Sequence, residues 1–228
     1  MRNFTLMILA AGFGKRMENL TKNIPKPLLQ VNNTTLLNNT ICFFEKLGCN
    51  KFVINTHYLH KQINDYIKKY HSNKNIFLSS ESEILDTGGG IKNALNYFEN
   101  ENLVITNSDI YWNSNNVNEV NKFISCIDNI DDCLLLLSKQ ENTIGINRDV
   151  GDFFLEKNYL RRWKKNDPIV FYSGLQILNP NIIEKYAATK FSINEVWDNL
   201  ICENKLKGIL MESQLIHIGD KKTYDQFN

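Results

Sequence analysis

Apolar positions along the chain follow two different periods, and the periods change in a regular order. "TLMIL" (5–9) is a short continuous apolar run, as in a strand buried on both faces. "TLLNNTICFFEKLG" (35–48) has apolar residues at 36, 37, 41, 44 and 47, a helical stripe closed by Gly48. "KFVINT" (51–56) returns to a strand pattern. "HKQINDYIKKY" (60–70) then sets Ile63, Tyr66, Ile67 and Tyr70 on one helical face. "NIFLSSE" (75–81) reads as a third strand and "GGIKNALNYF" (89–98) as a helix entered through glycines. "NLVITNSD" (102–109) is a fourth strand ending in polar residues. This alternation predicts a parallel sheet with helices on both faces.

The second half is less regular. "VNEVNKFISCI" (117–127) predicts a helix, opened by the Asn-rich loop that begins at Trp112, and "CLLLLSK" (133–139) a core strand. "GDFFLEK" (151–157), "YLRRW" (159–163) and "IVFYSGLQIL" (169–178) predict more exposed strands. "INEVWDNLICEN" (193–204) predicts a helix, and "KGILMES" with "QLIHIGD" a closing strand pair. No internal repeat or long linker interrupts the pattern, so residues 1–228 are read as one domain.

Composition narrows the class. With 228 residues, 43% of them hydrophobic, the chain can bury a sizeable core. A net charge of +1, from 26 basic and 25 acidic residues, argues against a broad basic face for nucleic acid. Five cysteines, at 42, 49, 126, 133 and 202, include no C-x-x-C pair. Reduced, mostly buried thiols in a cytoplasmic protein fit better than zinc ribbons or a disulfide framework. No apolar run reaches the roughly 18 residues of a membrane span.

The candidate chemistry begins in "LMILAAGFGKRM" (6–17). A dinucleotide fingerprint fails because Met17 stands at its third glycine. A P-loop fails because Leu9 replaces its first glycine and Arg16 its Ser or Thr. A glycine loop after a first strand still turns backbone N–H groups toward an anion, and Lys15 and Arg16 add charge. The alternative is a tight turn with two solvated basic residues. Downstream, Lys26 lies between Pro25 and Pro27, on a stiff, extended segment. If the strand order is 3-2-1-4, strands one and four are neighbours at the carboxyl edge, where open sheets bind ligands. The glycine loop would then lie beside Asn107 and Asp109, a carboxylate that could hold a metal.

"LAAGFGKRMENLTKNIPKPLL" (9–29) resembles the signature of the sugar-1-phosphate nucleotidyltransferases, L-A-A-G-x-G-x-R-M-x-x-L-T followed by P-K-P-L. "INTHYLHKQI", "ESEILDTGGGIKNAL", "ITNSDIYW", "GDFF" and "YSGLQIL" match in the same order. The resemblance implies a Rossmann-like α/β fold with an open, mainly parallel but mixed sheet. Residues 1–112 would form the nucleotide-binding half and residues 113–228 the sugar-phosphate half. It implies that Ala11, Gly12, Gly14 and Lys15 cradle a nucleoside triphosphate. Arg16 would stabilise the departing pyrophosphate, and Lys26 would bridge the α-phosphate and the sugar phosphate. Asp109 would bind Mg2+. Thr87 and Gly88 would read the base, with Glu81 toward base or ribose. Asn107 would face the sugar phosphate, and Gly151, Glu156 and Ser173 are candidate sugar contacts.

One position departs from the pattern. The family supplies a second metal-binding aspartate in a V-D-V-G-T-like stretch, and "LIHIGDKKTY" (215–224) has His217 there. Mg2+ prefers oxygen ligands. His217 could still bind the metal or stand just behind it, Asp220 could substitute, or Asp109 could hold Mg2+ with phosphates and waters alone. The segments N-x-H-x-L-x-x-Q-I and T-G-G-G-I most resemble the bacterial N-acetylmuramate-1-phosphate uridylyltransferases. UTP and N-acetylmuramate 1-phosphate are thus the expected substrates, for cell-wall recycling or surface-glycan synthesis. Guanylyl transfer to mannose or heptose 1-phosphate, cytidylyl transfer to phosphocholine, and a non-catalytic nucleotide- or sugar-binding protein are the alternatives. A monomer or small homo-oligomer without membrane or nucleic-acid partners is expected.

Overall fold

A computed structural model describes residues 3–99 and 101–228. The first half runs β1 (Phe4–Leu9), the short hairpin β2 (Gln30–Val31) and β3 (Thr34–Thr35), α1 (Leu36–Lys46), β4 (Cys49–Thr56), α2 (His60–Tyr70), β5 (Ile76–Ser80), α3 (Asp86–Asn93) and β6 (Leu103–Asn107). The second runs α4 (Val117–Ile124), β7 (Cys133–Lys139), β8 (Thr143–Ile144), β9 (Phe153–Glu156), β10 (Tyr159–Arg162), β11 (Val170–Leu178), α5 (Pro180–Glu184), α6 (Ile193–Cys202), β12 (Leu206–Met211), β13 (Leu215–Ile216) and α7 (Lys221–Gln226).

Nine strands form one sheet in the order β5-β4-β1-β6-β11-β7-β12-β10-β9. The first four are parallel, as the alternation predicts, and their order is 3-2-1-4, the one that makes strands one and four neighbours. Alternate residues of each strand face opposite layers. Leu6, Ile8, Phe52 and Ile54 pack with residues of α1, α2 and α4, whereas Met7, Val53 and Ile105 pack with residues of α3 and α6. Strands buried on both faces therefore carry unbroken apolar runs.

Four expectations need correction. β11 is not exposed: it lies between β6 and β7, antiparallel to both, with Phe171, Leu175, Ile177 and Leu178 fully buried. Its register shifts between Tyr172 and Gln176. There Gly174 has φ +88°, and a Cβ would lie 2.7 Å from Ile110. "KGILMES" and "QLIHIGD" do not pair with each other; β12 pairs with β7 and β13 with β8. α3 starts at Asp86, three residues earlier than expected, and holds all three glycines within it. A Cβ at Gly88 would meet the Phe191 ring at 2.4 Å, and one at Gly89 the Thr189 carbonyl at 2.3 Å. Those two glycines let the helix press against the segment before α6. The fourth concerns the thiols. All five are free, but only Cys49 and Cys133 are buried; Cys42 and Cys126 are half-buried and Cys202 is exposed.

A smaller cluster locks the glycine loop to the end of the chain. Met17 is fully buried with Leu29, Val31, Leu36, Ile216 and Ile218. The residue that spoils a dinucleotide fingerprint is thus the anchor of this loop's exit.

Candidate active site

The carboxyl ends of the parallel strands come level with one another. Leu9 at the end of β1 is in register with Asn55 on β4 and Asn107 on β6. The glycine loop leaves β1 at this edge, with Gly14 at φ +66°. A Cβ on Gly14 would lie 2.9 Å from Thr21 and 3.2 Å from Lys26, so glycine allows the loop to close over the lysine segment. Among the described residues, the backbone amides of residues 11–14 donate to no protein group. Lys15 and Arg16 follow, both exposed. Free amides beside two cations suit an anion of several charges.

Lys26 sits at the centre. Pro25 is extended, as its ring dictates, but Lys26 opens a single 3-10 turn with Pro27 instead of continuing the extended segment. Its Nζ donates to Asp109 Oδ2 at 2.6 Å, and both side chains are largely buried. Asp109 lies two residues beyond the end of β6. His217 Nε2 is 3.2 Å from the same Oδ2. A bridge between Ile110 and His217 brings the two segments together, with Ile218 N–H donating to the Asp109 carbonyl at 2.8 Å. Gly219 makes room for the ring, since a Cβ there would meet His217 Cε1 at 2.3 Å. Burial pushes the Asp109 carboxyl up, but the Lys26 ammonium and then His217 overcome it and hold the group well below the usual carboxylate range.

The other Asp109 oxygen, Oδ1, is buried and has no hydrogen-bond partner. A buried, unpartnered carboxylate oxygen is costly unless something positive meets it. Among the described residues, no three His, Cys, Asp or Glu side chains form a metal group. A single hard oxygen suits Mg2+, which takes one or two carboxylates and completes its shell with phosphates and water. The residues present therefore fit that ion through Asp109 alone. His217 meets the carboxylate as a hydrogen-bond partner of the oxygen that Lys26 already holds, which favours support over ligation. Asp220 is engaged in a helix cap. Its carboxylate caps α7, accepting from Thr223 N–H at 2.8 Å, and that bond leads in holding its pKa down.

Three adjoining cavities surround this pair, and Asn107 lines all of them. The first, of about 280 Å³, is lined by Gly12, Gly14, Lys15, Arg16, Lys26 and Asp109. The second, of about 280 Å³, lies toward Ala11, Asn55, Glu81 and Thr87. The third, of about 390 Å³, holds Arg16, Arg148, Asp152, Gly174, His217 and Asp220. The structure thus gathers Ala11, Gly12, Gly14, Lys15, Arg16, Lys26, Glu81, Thr87, Asn107, Asp109 and His217 into one cleft.

The remaining candidates fall elsewhere. Gly88 is packed under Phe191. Gly151 is buried against the Trp163 ring, and Ser173 is fully buried inside β11. Their neighbours Asp152, Tyr172 and Gly174 line the third cavity instead. Glu156 is exposed at the edge hairpin of β9 and β10 and lines none of the three. Sequence reasoning missed Asn55, Arg148 and Asp152. Arg148 and Asp152 form an ion pair, and Asp152 Oδ2 also accepts from Tyr172 N–H at 3.0 Å. The i, i+4 spacing of opposite charges was a signal, but no helix surrounds it.

Comparison with known proteins agrees with this geometry. The sequence profile of the nucleotidyl transferase family matches residues 5–144. An N-acetylmuramate alpha-1-phosphate uridylyltransferase of Caulobacter vibrioides is 30% identical over 222 residues, covering 94% of this chain and 91% of the relative. A D-glycero-alpha-D-manno-heptose 1-phosphate guanylyltransferase of Aneurinibacillus thermoaerophilus is 28% identical, covering 96% and 94%. The crystal structure of HddC from Yersinia pseudotuberculosis complexed with GMP-PN superposes with a TM-score of 0.79, at 24% identity, covering 98% of this chain and 97% of that one.

Proposed function

The chain belongs to the nucleotidyl transferase family, and from that premise we propose that it joins UTP to N-acetylmuramate 1-phosphate, releasing pyrophosphate. The class is that of the sugar-1-phosphate nucleotidyltransferases. The observation that carries the reading is the meeting of the glycine loop, Lys26 and Asp109 in one cavity. The uridylyltransferase relative supports the base and the sugar. The third cavity, where Arg16 and Arg148 stand with Asp152 and Asp220, supports a polar acceptor that both donates and accepts hydrogen bonds.

In the proposed reaction, an oxygen of the acceptor phosphate attacks the α-phosphorus of the nucleotide. The bond from that phosphorus to the bridging oxygen breaks, and both electrons leave with pyrophosphate. Catalysis of this kind rests on placement and charge neutralisation. The amides of residues 11–14 and Lys15 bind the β- and γ-phosphates. Arg16, lining both the first and third cavities, takes up charge on the departing pyrophosphate. Lys26 leaves its resting bond to Asp109 to meet the two phosphates that react. Asp109 would hold Mg2+ through Oδ1, and the bound ion supplies further neutralisation of phosphate oxygens. Asn107, common to all three cavities, orients the acceptor phosphate.

Guanylyl transfer to heptose 1-phosphate is the second reading, because the Aneurinibacillus relative matches as much of the chain at only slightly lower identity. Pyrophosphate release measured for UTP, GTP, CTP and dTTP, each with N-acetylmuramate, N-acetylglucosamine, heptose and mannose 1-phosphates, separates the two. Fastest release with UTP and N-acetylmuramate 1-phosphate is the expected result. Release confined to GTP with heptose or mannose 1-phosphate replaces it with the second reading.

A further inference from the structure

We infer that Asn55 is a positioning residue that holds the phosphate loop and the base-side loop at one fixed separation, and that Gly90 is glycine to make this possible. The inference rests on reading this cleft as a nucleotide site. Asn55 is buried near the end of β4, in register with Leu9. Its Oδ1 accepts from Ala10 N–H at 2.8 Å, at the entry to the glycine loop. Its Nδ2 donates to Glu81 Oε1 at 2.7 Å. The other oxygen of Glu81 accepts from Leu85 N–H at 3.1 Å, immediately before α3 and Thr87. Three bonds thus run from the loop on the phosphate side to the turn on the base side.

Only an amide supplies an acceptor and a donor at opposite ends of this span. The pair is buried at the floor of the second cavity, so a lost bond leaves a polar group poorly satisfied. α3 crosses directly over it. A Cβ at Gly90 would lie 2.7 Å from Glu81 Oε1 and 2.8 Å from Asn55 Nδ2. The third glycine of T-G-G-G is therefore read by the relay beneath it, whereas the first two are read by the segment before α6. The β1–β4 ladder does not depend on the relay, so its loss loosens the two loops without unfolding the sheet. Nucleotide binding weakens; acceptor binding, on the far side of Asn107, does not.

Reciprocal exchange tests this. UTP and GTP are titrated calorimetrically into the wild type, Asn55→Asp, Glu81→Gln and the double variant, with thermal midpoints recorded and KM measured for both substrates. Asn55→Asp sets two carboxylates against each other; Glu81→Gln removes one acceptor. Each single change weakens binding of the wild type's preferred nucleotide by at least about tenfold. In the double variant the new carboxamide at 81 donates to the new carboxylate at 55 and still accepts from Leu85. Binding then returns to within about threefold of the wild type, the mark of coupled neighbours. Acceptor KM stays constant throughout. Gly90→Ala copies the Asn55→Asp loss. A double variant no tighter than the weaker single variant overturns the inference and makes Glu81 a direct nucleotide contact. An acceptor KM that moves with the nucleotide KM overturns it too, as a general loss of structure. A wild type that binds nucleotide and follows this pattern, yet releases no pyrophosphate, removes only the transferase reading.

Discussion

The two halves of this molecule build one cleft in different ways. In the parallel half, site residues sit in short runs at the ends of adjacent strands: residues 11–16 after β1, Asn55 on β4, Glu81 and Thr87 after β5, and Asn107 to Asp109 on β6. Parallel pairing in the order 3-2-1-4 makes these ends level, so chain position alone brings them together. In the mixed half, strands run both ways and no common edge exists. Asp152, Gly174 and the segment from His217 to Asp220 come from three separate stretches of the chain and meet only when those stretches pack together. A parallel edge makes a site by topology; the mixed half must make one by packing.

The comparison is broken most directly at Asp109, where the parallel half's own Lys26 pair meets His217 from the mixed half. Asp109→Asn or Lys26→Met is expected to lower turnover by about 10²–10³, as for other preorganised charge contacts. Steady-state pyrophosphate release checks this. Lys26→Met also leaves a buried carboxylate without its cation, at a cost of about 3 kcal/mol in denaturant unfolding. The sign with pH follows from the lowered Asp109 pKa. The pair's stabilisation is complete above the ordinary carboxylate value and is lost as pH falls toward the lower folded one. Acid unfolding of the wild type should therefore be steeper than that of Lys26→Met.

Gly219→Ala probes the seam from the other side. A Cβ displaces the His217 ring from Asp109. Turnover should fall by about tenfold, the worth of one supporting hydrogen bond to a charged group. His217→Ala should match it, and the double variant should lose no more. Additive losses would mean that Gly219 acts without His217.

Within the mixed half, Arg148→Gln should raise acceptor KM by about tenfold and leave nucleotide KM alone. Glu156→Ala, at the exposed edge hairpin, should change neither. A reversed result would return the sugar site to the residues named by motif instead of those placed by packing.

The smallest effect lies away from the cleft. His71, at the end of α2, is buried with both ring nitrogens unpartnered; burial and then Lys74 lower its pKa below the ordinary 6.5. Its neutral form is favoured in the fold. Its contribution is complete above the unfolded value and is lost as pH falls through the folded one. His71→Leu should flatten the fall in thermal midpoint below about pH 6.5.

What the chain revealed before folding follows the same division. Continuous apolar runs separated by helical stripes announced the parallel strands, because a doubly covered parallel strand has few other patterns; their order entered only as a condition. Asp109 was legible because β6 ends beside it. His217 was legible as standing at or just behind the metal position, but its bond to Asp109 was not, since that contact joins residues 108 apart beside a one-residue bridge. β11 was misread as exposed because Ser173, Gly174 and Gln176 interrupt its apolar run; inside the sheet these are a register shift and a left-handed glycine. Glu156 was named from the resemblance, and a motif carries no information about which sheet edge a residue occupies. Asn55 was quoted in a motif but given no role, because an amide's partners are invisible until Ala10 and Glu81 are in place.

The central claim is that Asp109 presents one oxygen to a cation while Lys26 and His217 hold the other. Titration of Mn2+, a stand-in for Mg2+ with the same preference for oxygen, into protein saturated with UTP tests it most directly. Binding beyond that of the same UTP without protein should vanish in Asp109→Asn and persist with unchanged stoichiometry in His217→Ala. Binding that survives in Asp109→Asn, or disappears in His217→Ala, would contradict it.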